Sequence, residues 1–402
     1  MLNRANNLKN ELIRLRRDIH THPELGFHEF RTAALVAETL QEIGGITIKT
    51  GVGKTGVVGE MGTGDGPVIA IRADMDALPI IEKTGLAYAS QNKGVMHACG
   101  HDSHTAMLLG AAHLLKQSLS EGGWRGRVRF LFQPSEEAFD ENGISGATAM
   151  IDDGAMIGVD RVIALHVISN LPSGEVHFSD GPSLANVDSF EAWIRGDGGH
   201  GAAPHEGSDP LHMLASILPD IYAIPSRRIN PLNPCVVSLG MIHAGTATNV
   251  IPGELHLAGT IRSFDQPTRE RLWREVENAL RLSEMMGGSY RFELTKGYPA
   301  MVNYAEVNGW MRQVTQDLAG QAAIKNEPFG MGAEDFAYMT QKAPGAMFFL
   351  GAQTPDNVMR NHHTDIFDID ENVMPLGAAI LAETARRFVT GELGTIVPTT
   401  NN

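Results

Sequence analysis

The segment His97-Ala98-Cys99-Gly100-His101-Asp102-Ser103-His104 sets a thiol and an imidazole two residues apart. Cys99 and His101 can therefore reach one metal ion, with Gly100 permitting the tight backbone between them. Further polar clusters follow apolar runs. VIAIR at 68–72 leads into Asp74-Met75-Asp76, VRFLF at 128–132 into Ser135-Glu136-Glu137, and RVIAL at 161–165 into His166. Late in the chain His362 and His363 precede TDIFDIDENV. Cys, His, Glu, His and His form a borderline-soft donor set suited to Zn, Mn, Co or Ni.

Taken singly, each cluster has a plainer reading. An isolated Cys is a small buried hydrophobe, as Cys235 in CVVSLG is expected to be. Glu136-Glu137 suits a solvated loop or a helix start. Asp74 and Asp76 suit turn capping, and His166 a satisfied structural histidine. Their shared position is what counts: in open α/β sheets, sites gather beyond the carboxyl ends of strands, so dispersed clusters can converge there.

Other chemistries lose weight. GVGKTG at 51–56 lacks the first glycine of a phosphate loop, because Ile48 stands there. His28-Glu29 and His205-Glu206 begin like zinc-protease helices, yet Thr32 and Asp209 occupy the second-histidine positions. There is no G-x-S-x-G nucleophile elbow and no C-x-x-C pair.

The elements that must position these residues are legible in the periodicity. Leu8, Leu12, Leu15 and Ile19 share one helical face, as do Ala33, Val36, Leu40 and Ile43, with HTHPELGFHEF as a loop between them. The three apolar runs above, AMFFL at 346–350, and helical stretches such as 105–119 predict a largely parallel sheet covered on both faces. Residues 183–296 read β-α-β-β-α-β, with Phe190, Ala192 and Ile194 on one strand face, which is a ferredoxin-like order. Pro219 is expected to kink or end the first helix of that unit. The α/β pattern resumes after 297, so residues 1–182 and 297–402 form one discontinuous domain and 183–296 an insertion. The tail GTIVPTTNN is expected to fray.

Composition agrees with a folded protein of two to three domains over 402 residues. Hydrophobic content is 43% and charged content 20%. Lys+Arg 32 against Asp+Glu 47 gives a net charge of −15, which disfavours nucleic acid and anionic membrane as partners. Two cysteines make no disulfide framework, and no signal peptide or apolar span of 18 residues is present, so a cytoplasmic setting is expected.

The residues quoted so far, together with RRDIHTHPELGFHE, RADMDALPI, MHACGHDSHTAMLLGAA, FQPSEEA, ALHV, GGHGAAPHEGSDP, GTATNVIP, GTIRSFD, GAEDFAYM and HHTDIFDIDENVMPLGAA, span nearly the whole chain. The sequence closely resembles the aminoacylase/carboxypeptidase metallopeptidase family, in the branch of hippurate hydrolase, N-acyl-amino-acid amidohydrolases and auxin-conjugate hydrolases. The resemblance implies a zinc-peptidase-like α/β domain interrupted by a ferredoxin-like lid at 183–296. It implies two divalent metal ions (Zn or Mn, with Co or Ni as options), ligated by Cys99, His101, Glu137, His166 and His363. His362 stays an alternative to His363, which is preferred because Phe367 follows it by four residues, as in the family's motif. Where the wider family has His-x-Asp, this chain has Asp74-Met75-Asp76, so Asp76 is expected to orient a ligand or the water.

The resemblance further assigns Glu136 as general base and His200 of the lid as oxyanion stabiliser, with His205 the weaker choice. Asn249 and Arg262 would hold the substrate's α-carboxylate, and Glu334 would contact substrate or support the site. The segment after Glu137, AFDENGISGATAMI, is longer than the family's usual loop; it would flank the metals and so reshape the acyl pocket. The implied reaction is hydrolysis of N-acetyl, N-aroyl or similar N-acyl amino acids. Rivals are a dipeptidase or carboxypeptidase, an N-carbamoyl amino acid hydrolase, or a catalytically silent metal-binding protein on the same fold. A homo-oligomer, dimer or tetramer, goes with the lid.

Overall fold

The computed structural model describes residues 1–356 and 358–393, so the tail expected to fray lies outside the described residues. The chain divides into two compact units. The first comprises Met1–Gly181, Val302–Pro328 and Tyr338–Asn402, the second Pro182–Met301 and Phe329–Ala337.

The first unit is built on an eight-stranded mixed sheet. Its centre consists of Arg127–Gln133, Val68–Asp74, Arg161–Ile168 and Gly345–Gly351, neighbours in that order and mutually parallel. These are the four apolar runs read from the sequence. Every residue of Val68–Asp74 and of Gly345–Gly351 is buried, which is why both read as unbroken apolar runs rather than alternating ones. One flank is the hairpin Thr47–Val52 and Gly56–Gly62, antiparallel to Arg127–Gln133. The other holds the short strands Val176–Phe178 and Ile324–Asn326.

Helix His101–Glu121 runs beneath the sheet and is packed by Lys9–Thr21, Phe30–Ile43 and Met374–Thr390. Leu12, Leu15 and Ile19 bury one face of the first of these, while Val36 and Leu40 do so for the second. Both helices were expected from the spacing of those same side chains.

The second unit carries strand Asn186–Arg195, helix Pro210–Arg227, strands Cys235–Ala244 and Glu254–Ser263, helix Gln266–Leu280 and strand Ser289–Lys296. The sheet order is 235–244, 254–263, 186–195, 289–296, all antiparallel, which is the ferredoxin-like arrangement. Phe190, Ala192 and Ile194 line its core, as the alternation predicts. The expected break at Pro219 does not end the helix: Pro210–Arg227 continues through both Pro219 and Pro225. Pro219 is exposed, while Met213, Ile217, Ile221 and Ile224 are buried on the opposite stripe. That apolar face offsets the lost backbone bond. Among the described residues, no helix is long and apolar enough to cross a membrane.

Candidate metal centre

The carboxyl ends of three of the four central strands bring the sequence clusters of the first unit together. Val68–Asp74 delivers Asp74 and Asp76, Arg127–Gln133 delivers Glu136 and Glu137, and Arg161–Ile168 carries His166. His101 opens its helix directly after Gly100, whose φ of 98° is a left-handed value that glycine adopts without a Cβ penalty. His363 donates its backbone N–H to Ala98 O at 2.8 Å and itself holds a left-handed backbone, φ 61°.

Hydrogen bonds to backbone carbonyls fix which imidazole nitrogens are free, since a carbonyl can only accept. His101 Nδ1–H donates to Asp76 O at 2.9 Å and lies 3.2 Å from Asp76 Oδ1. Its Nε2 is buried without a partner. His166 Nδ1–H donates to Val167 O at 2.7 Å, leaving Nε2 to face Cys99 Sγ at 3.4 Å. Glu137 Oε1 is also buried without a hydrogen-bond partner. It stands 3.0 Å from His363 Nε2 and 4.0 Å from His101 Nε2, neither aligned for a hydrogen bond. Glu137 N–H in turn donates to Asp76 Oδ2 at 3.0 Å. Asp76 therefore grips both the His101 ring and the Glu137 backbone.

Two histidines in the neighbourhood are spent on structure. His104 Nδ1–H donates to Asp74 Oδ1 at 2.6 Å, and its Nε2 accepts the Val167 N–H at 2.9 Å, so neither nitrogen is available. His362 Nε2–H donates to Val167 O at 2.9 Å, and its ring packs on His166 and Phe367. Asp74 also accepts from the buried Arg72 at 2.7 Å.

Several sets of donors could each surround one ion: Cys99, Glu137 and His363; Cys99, His166 and His362; and His101, Glu136 and Glu137, with ligand atoms within 4.8 Å of one another in each. The electrostatics suit a cation. Burial together with Glu137, Glu136 and Asp74 pushes the Cys99 thiol well up. Burial opposes charge on His101, but Asp74, Asp76 and Glu137 outweigh it and raise this group to about 10. Burial beside His104 and His362 drives His166 well down, and burial takes His362 down to about 4. Glu137 raises His363. A divalent ion inverts this order, stabilising thiolate and neutral imidazole together.

Behind the Cys99–His104 turn lies a buried ionic network that the sequence reading did not single out. Asp102 accepts from Arg16 Nε at 3.1 Å and from His20 Nδ1 at 2.7 Å, while Oδ1 accepts the Ser103 N–H at 2.8 Å. Arg16, fully buried, also reaches Asp368 at 2.9 Å and Glu371 at 3.0 Å. The i, i+4 pair Arg16 and His20 on an amphipathic helix was the available signal, but nothing in sequence marks a basic pair as buried.

The remaining expected residues belong to the second unit. His200 pairs in register with Val250, and Asn249 O accepts the Gly201 N–H at 2.8 Å, so His200 and Asn249 stand side by side. His200 is exposed, and its Nδ1 accepts from Ala202 N–H at 3.0 Å. His205 sits in the exposed turn Pro204–Glu206. Arg262 is half-buried on the strand Glu254–Ser263 and donates to Met331 O at 3.3 Å; burial lowers its pKa. Glu334 Oε1 accepts the Phe336 N–H at 3.0 Å.

The sequence pattern of peptidase family M20/M25/M40 matches residues 70–387. Thermostable carboxypeptidase 1 of Saccharolobus solfataricus is 40% identical over 396 residues, covering 96% of this chain and 97% of that one. An N-acyl-L-amino acid amidohydrolase of Geobacillus stearothermophilus is 44% identical over 301 residues, 74% of this chain and 80% of its own length. Among solved structures, the Bacillus subtilis YXEP protein, described as a dinuclear metal-binding peptidase from the M20 family, superposes with a TM-score of 0.82 at 33% identity. That match covers 96% of this chain and 99% of the other. With its fold, its donor cluster and its sequence along nearly the full length in agreement, the chain belongs to peptidase family M20/M25/M40.

Proposed function

We propose that this protein is a metal-dependent amidohydrolase that cleaves N-acyl amino acids to a carboxylic acid and a free amino acid. One observation carries the reading: His101 Nε2 and Glu137 Oε1, both buried and neither hydrogen-bonded, lie 4.0 Å apart beside Cys99, His166 and Glu136. Buried polar atoms without hydrogen bonds are rare in folded proteins, and two of them 4.0 Å apart are what a bound cation relieves. Cys99, His101, Glu137, His166 and His363 would hold two divalent ions, Zn or Mn by the donor chemistry. We take His363 over His362 because His362 Nε2–H is committed to Val167 O. Such ions would supply Lewis acidity toward the acyl carbonyl and lower the pKa of a bound water.

The chain's own groups do the rest. Asp76 keeps the proton of His101 on Nδ1 and so presents the Nε2 lone pair outward. Glu136 takes a proton from the attacking water and returns it to the departing amine nitrogen, which leaves as the free amino acid. Of the second unit, which we read as a lid, His200 is assigned the developing oxyanion. Asn249 and Arg262 are assigned the α-carboxylate, a task suited to a planar guanidinium, and Glu334 support of the bound substrate. The same reading includes a homo-oligomer, since Cys235–Ala244 is an edge strand with Met241 and Ile242 exposed. A reducing, cytoplasmic setting suits the two free thiols.

The test is release of amino acid from a panel of N-acetyl, N-benzoyl, N-carbamoyl and dipeptide substrates by Mn- or Zn-loaded protein, alongside Glu136→Ala. Release from N-acyl substrates by the wild type that disappears in Glu136→Ala supports the reading. Release confined to dipeptides moves the assignment to a peptidase, and protein that binds no metal sinks the centre itself. Sedimentation velocity reads the oligomer.

A further inference from the structure

Two sequence features rejected as motifs, the Glu29 of His28-Glu29 and the Thr55 of GVGKTG, meet in the structure. Glu29 is fully buried at the start of the helix Phe30–Ile43, yet its side chain does not cap that helix. It turns inward and accepts the Ser135 N–H at 2.8 Å, the Phe27 N–H at 3.0 Å and the Thr55 hydroxyl. One carboxylate thus gathers donors from three loops: 26–29, 53–55 and the 134–137 turn that bears Glu136 and Glu137.

Those loops are held in unusual shapes. Among the described residues four non-glycine residues have a left-handed backbone: Phe27, Lys54, Ser135 and His363. The first three lie in or beside the segments tied to Glu29, with φ of 61°, 78° and 44°. Such conformations persist only where surrounding contacts enforce them, and they collect at functional sites. The packing enforces closeness too, since a Cβ at Gly26 would collide with Ser135 Oγ. Lys54 Nζ stands 4.2 Å from the Phe27 ring centre and bridges to Asp140 at 2.7 Å. Ser135 is fixed at its other end, its Oγ donating to Ala138 O at 3.0 Å and its carbonyl accepting the Gly146 N–H at 2.9 Å. The pair Glu136-Glu137 is therefore bracketed, by Glu29 on the Ser135 N–H and by Asp76 on the Glu137 N–H.

We propose that Glu29 is a positioning residue for the hydrolysis: its grip on Ser135 sets the turn that aims Glu136 and Glu137. This rests on the function proposed above. Gln keeps an oxygen on the Ser135 and Phe27 N–H groups and turns its amide N–H to the Thr55 hydroxyl, but as a neutral acceptor it holds them more weakly, and Ala leaves all three donors unmet. A base shifted by about 1 Å loses about a hundredfold in rate.

The experiment compares Glu29→Gln, Glu29→Ala and Glu24→Ala with the wild type, all metal-loaded, by kcat, KM and bound metal per chain. Hydrogen exchange of the segment 133–138 is followed in the metal-free proteins. Glu24 serves as the control because it caps the same helix, accepting from Arg31 N–H and Thr32 N–H at 2.9 Å each, and makes no bond to the turn. The expected result is a kcat lowered about 100-fold in Glu29→Ala and about 10-fold in Glu29→Gln. KM and metal content should stay within about threefold, exchange at Ser135 should rise, and Glu24→Ala should keep its kcat. Glu29→Gln keeps the test alive if the Ala variant does not fold. An unchanged kcat and exchange rate in Glu29→Gln would overturn the proposal, as would an equal loss of kcat in Glu24→Ala. A wild type inactive on every N-acyl amino acid fails the proposed function instead, and unaltered exchange in Glu29→Gln would still refute the brace on its own.

Discussion

The substitution Asp102→Asn should remove the part of this protein's pH-dependent stability that His20 supplies. Asp102 is fully buried between Arg16 and His20, so its charge is what lets His20 stay protonated in the interior. Burial opposes charge on His20, but Asp102 and Glu82 raise its pKa from 6.5 to about 9. A folded pKa above the unfolded one stabilises fully below pH about 6.5, and that contribution fades as pH rises through about 9. The difference between those values corresponds to about 3 kcal/mol. Burial raises the Asp102 carboxyl, yet Arg16 and His20 outweigh it and hold it far below the usual range, so its own ionisation does not change between pH 6 and 10. Breaking a buried pair by removing one partner costs about 3–5 kcal/mol.

Urea unfolding of wild type and Asp102→Asn, both with chelator, should therefore show a gap of about 3–5 kcal/mol at pH 6 that narrows by about 3 kcal/mol toward pH 10. His101 also sits high, at about 10, in the metal-free protein, but it is present in both proteins and cancels in the difference. A gap that stays constant across that pH range would refute the assignment of a charged His20.

Four further outcomes follow from the same geometry. Asp76→Ala should weaken metal binding by about 10–100-fold, read by competition with a chelating dye, because the His101 ring loses the carboxylate beside Nδ1 and the Glu137 backbone loses its acceptor. Metal uptake by the stripped protein at pH 7 in weak buffer should release about two protons per chain, from Cys99 and His101, followed with an indicator dye. Gly100→Ala should destabilise by roughly 1–3 kcal/mol in chemical unfolding, since its φ is 98° and an added Cβ would strike Val167 Cγ2. Phe190→Ala in the core of the second unit should cost about 3–5 kcal/mol of that unit's stability while leaving metal binding of the full chain intact.

The centre of the first sheet was readable because its strands are covered on both faces and so spell apolar runs such as VIAIR and AMFFL. Its margins were not. Val176–Phe178 and Ile324–Asn326 are three residues each, too short for any period to register, and the hairpin 47–62 hides behind glycines. Pro219 misled because local backbone preference was weighed without the apolar stripe that carries the helix past it. At the site, residue types and spacing singled out Cys99, His101 and Glu137, since donor chemistry is written in side chains. The division of labour among the histidines was not, because it is decided by which carbonyl each nitrogen meets: His104 and His166 differ only in what Asp74 and Val167 offer them. Glu29 shows the limit most sharply, for a charged residue in a Pro- and Gly-rich loop reads as solvated until its burial is seen.

The place of Gly345–Gly351 in the sheet has a consequence for synthesis. Although it is the last strand in chain order among the described residues, it lies inside the sheet, between Arg161–Ile168 and Val176–Phe178. A chain still on the ribosome and ending before Gly345 presents two bare strand edges where that strand belongs, and it lacks His363 altogether. The second unit, drawn mostly from the continuous stretch Pro182–Met301, can condense while the first still waits for its middle. Truncation from the C-terminal side before residue 345 is thus expected to yield an aggregating first unit rather than a smaller enzyme, and such a chain lacks one of the proposed metal ligands.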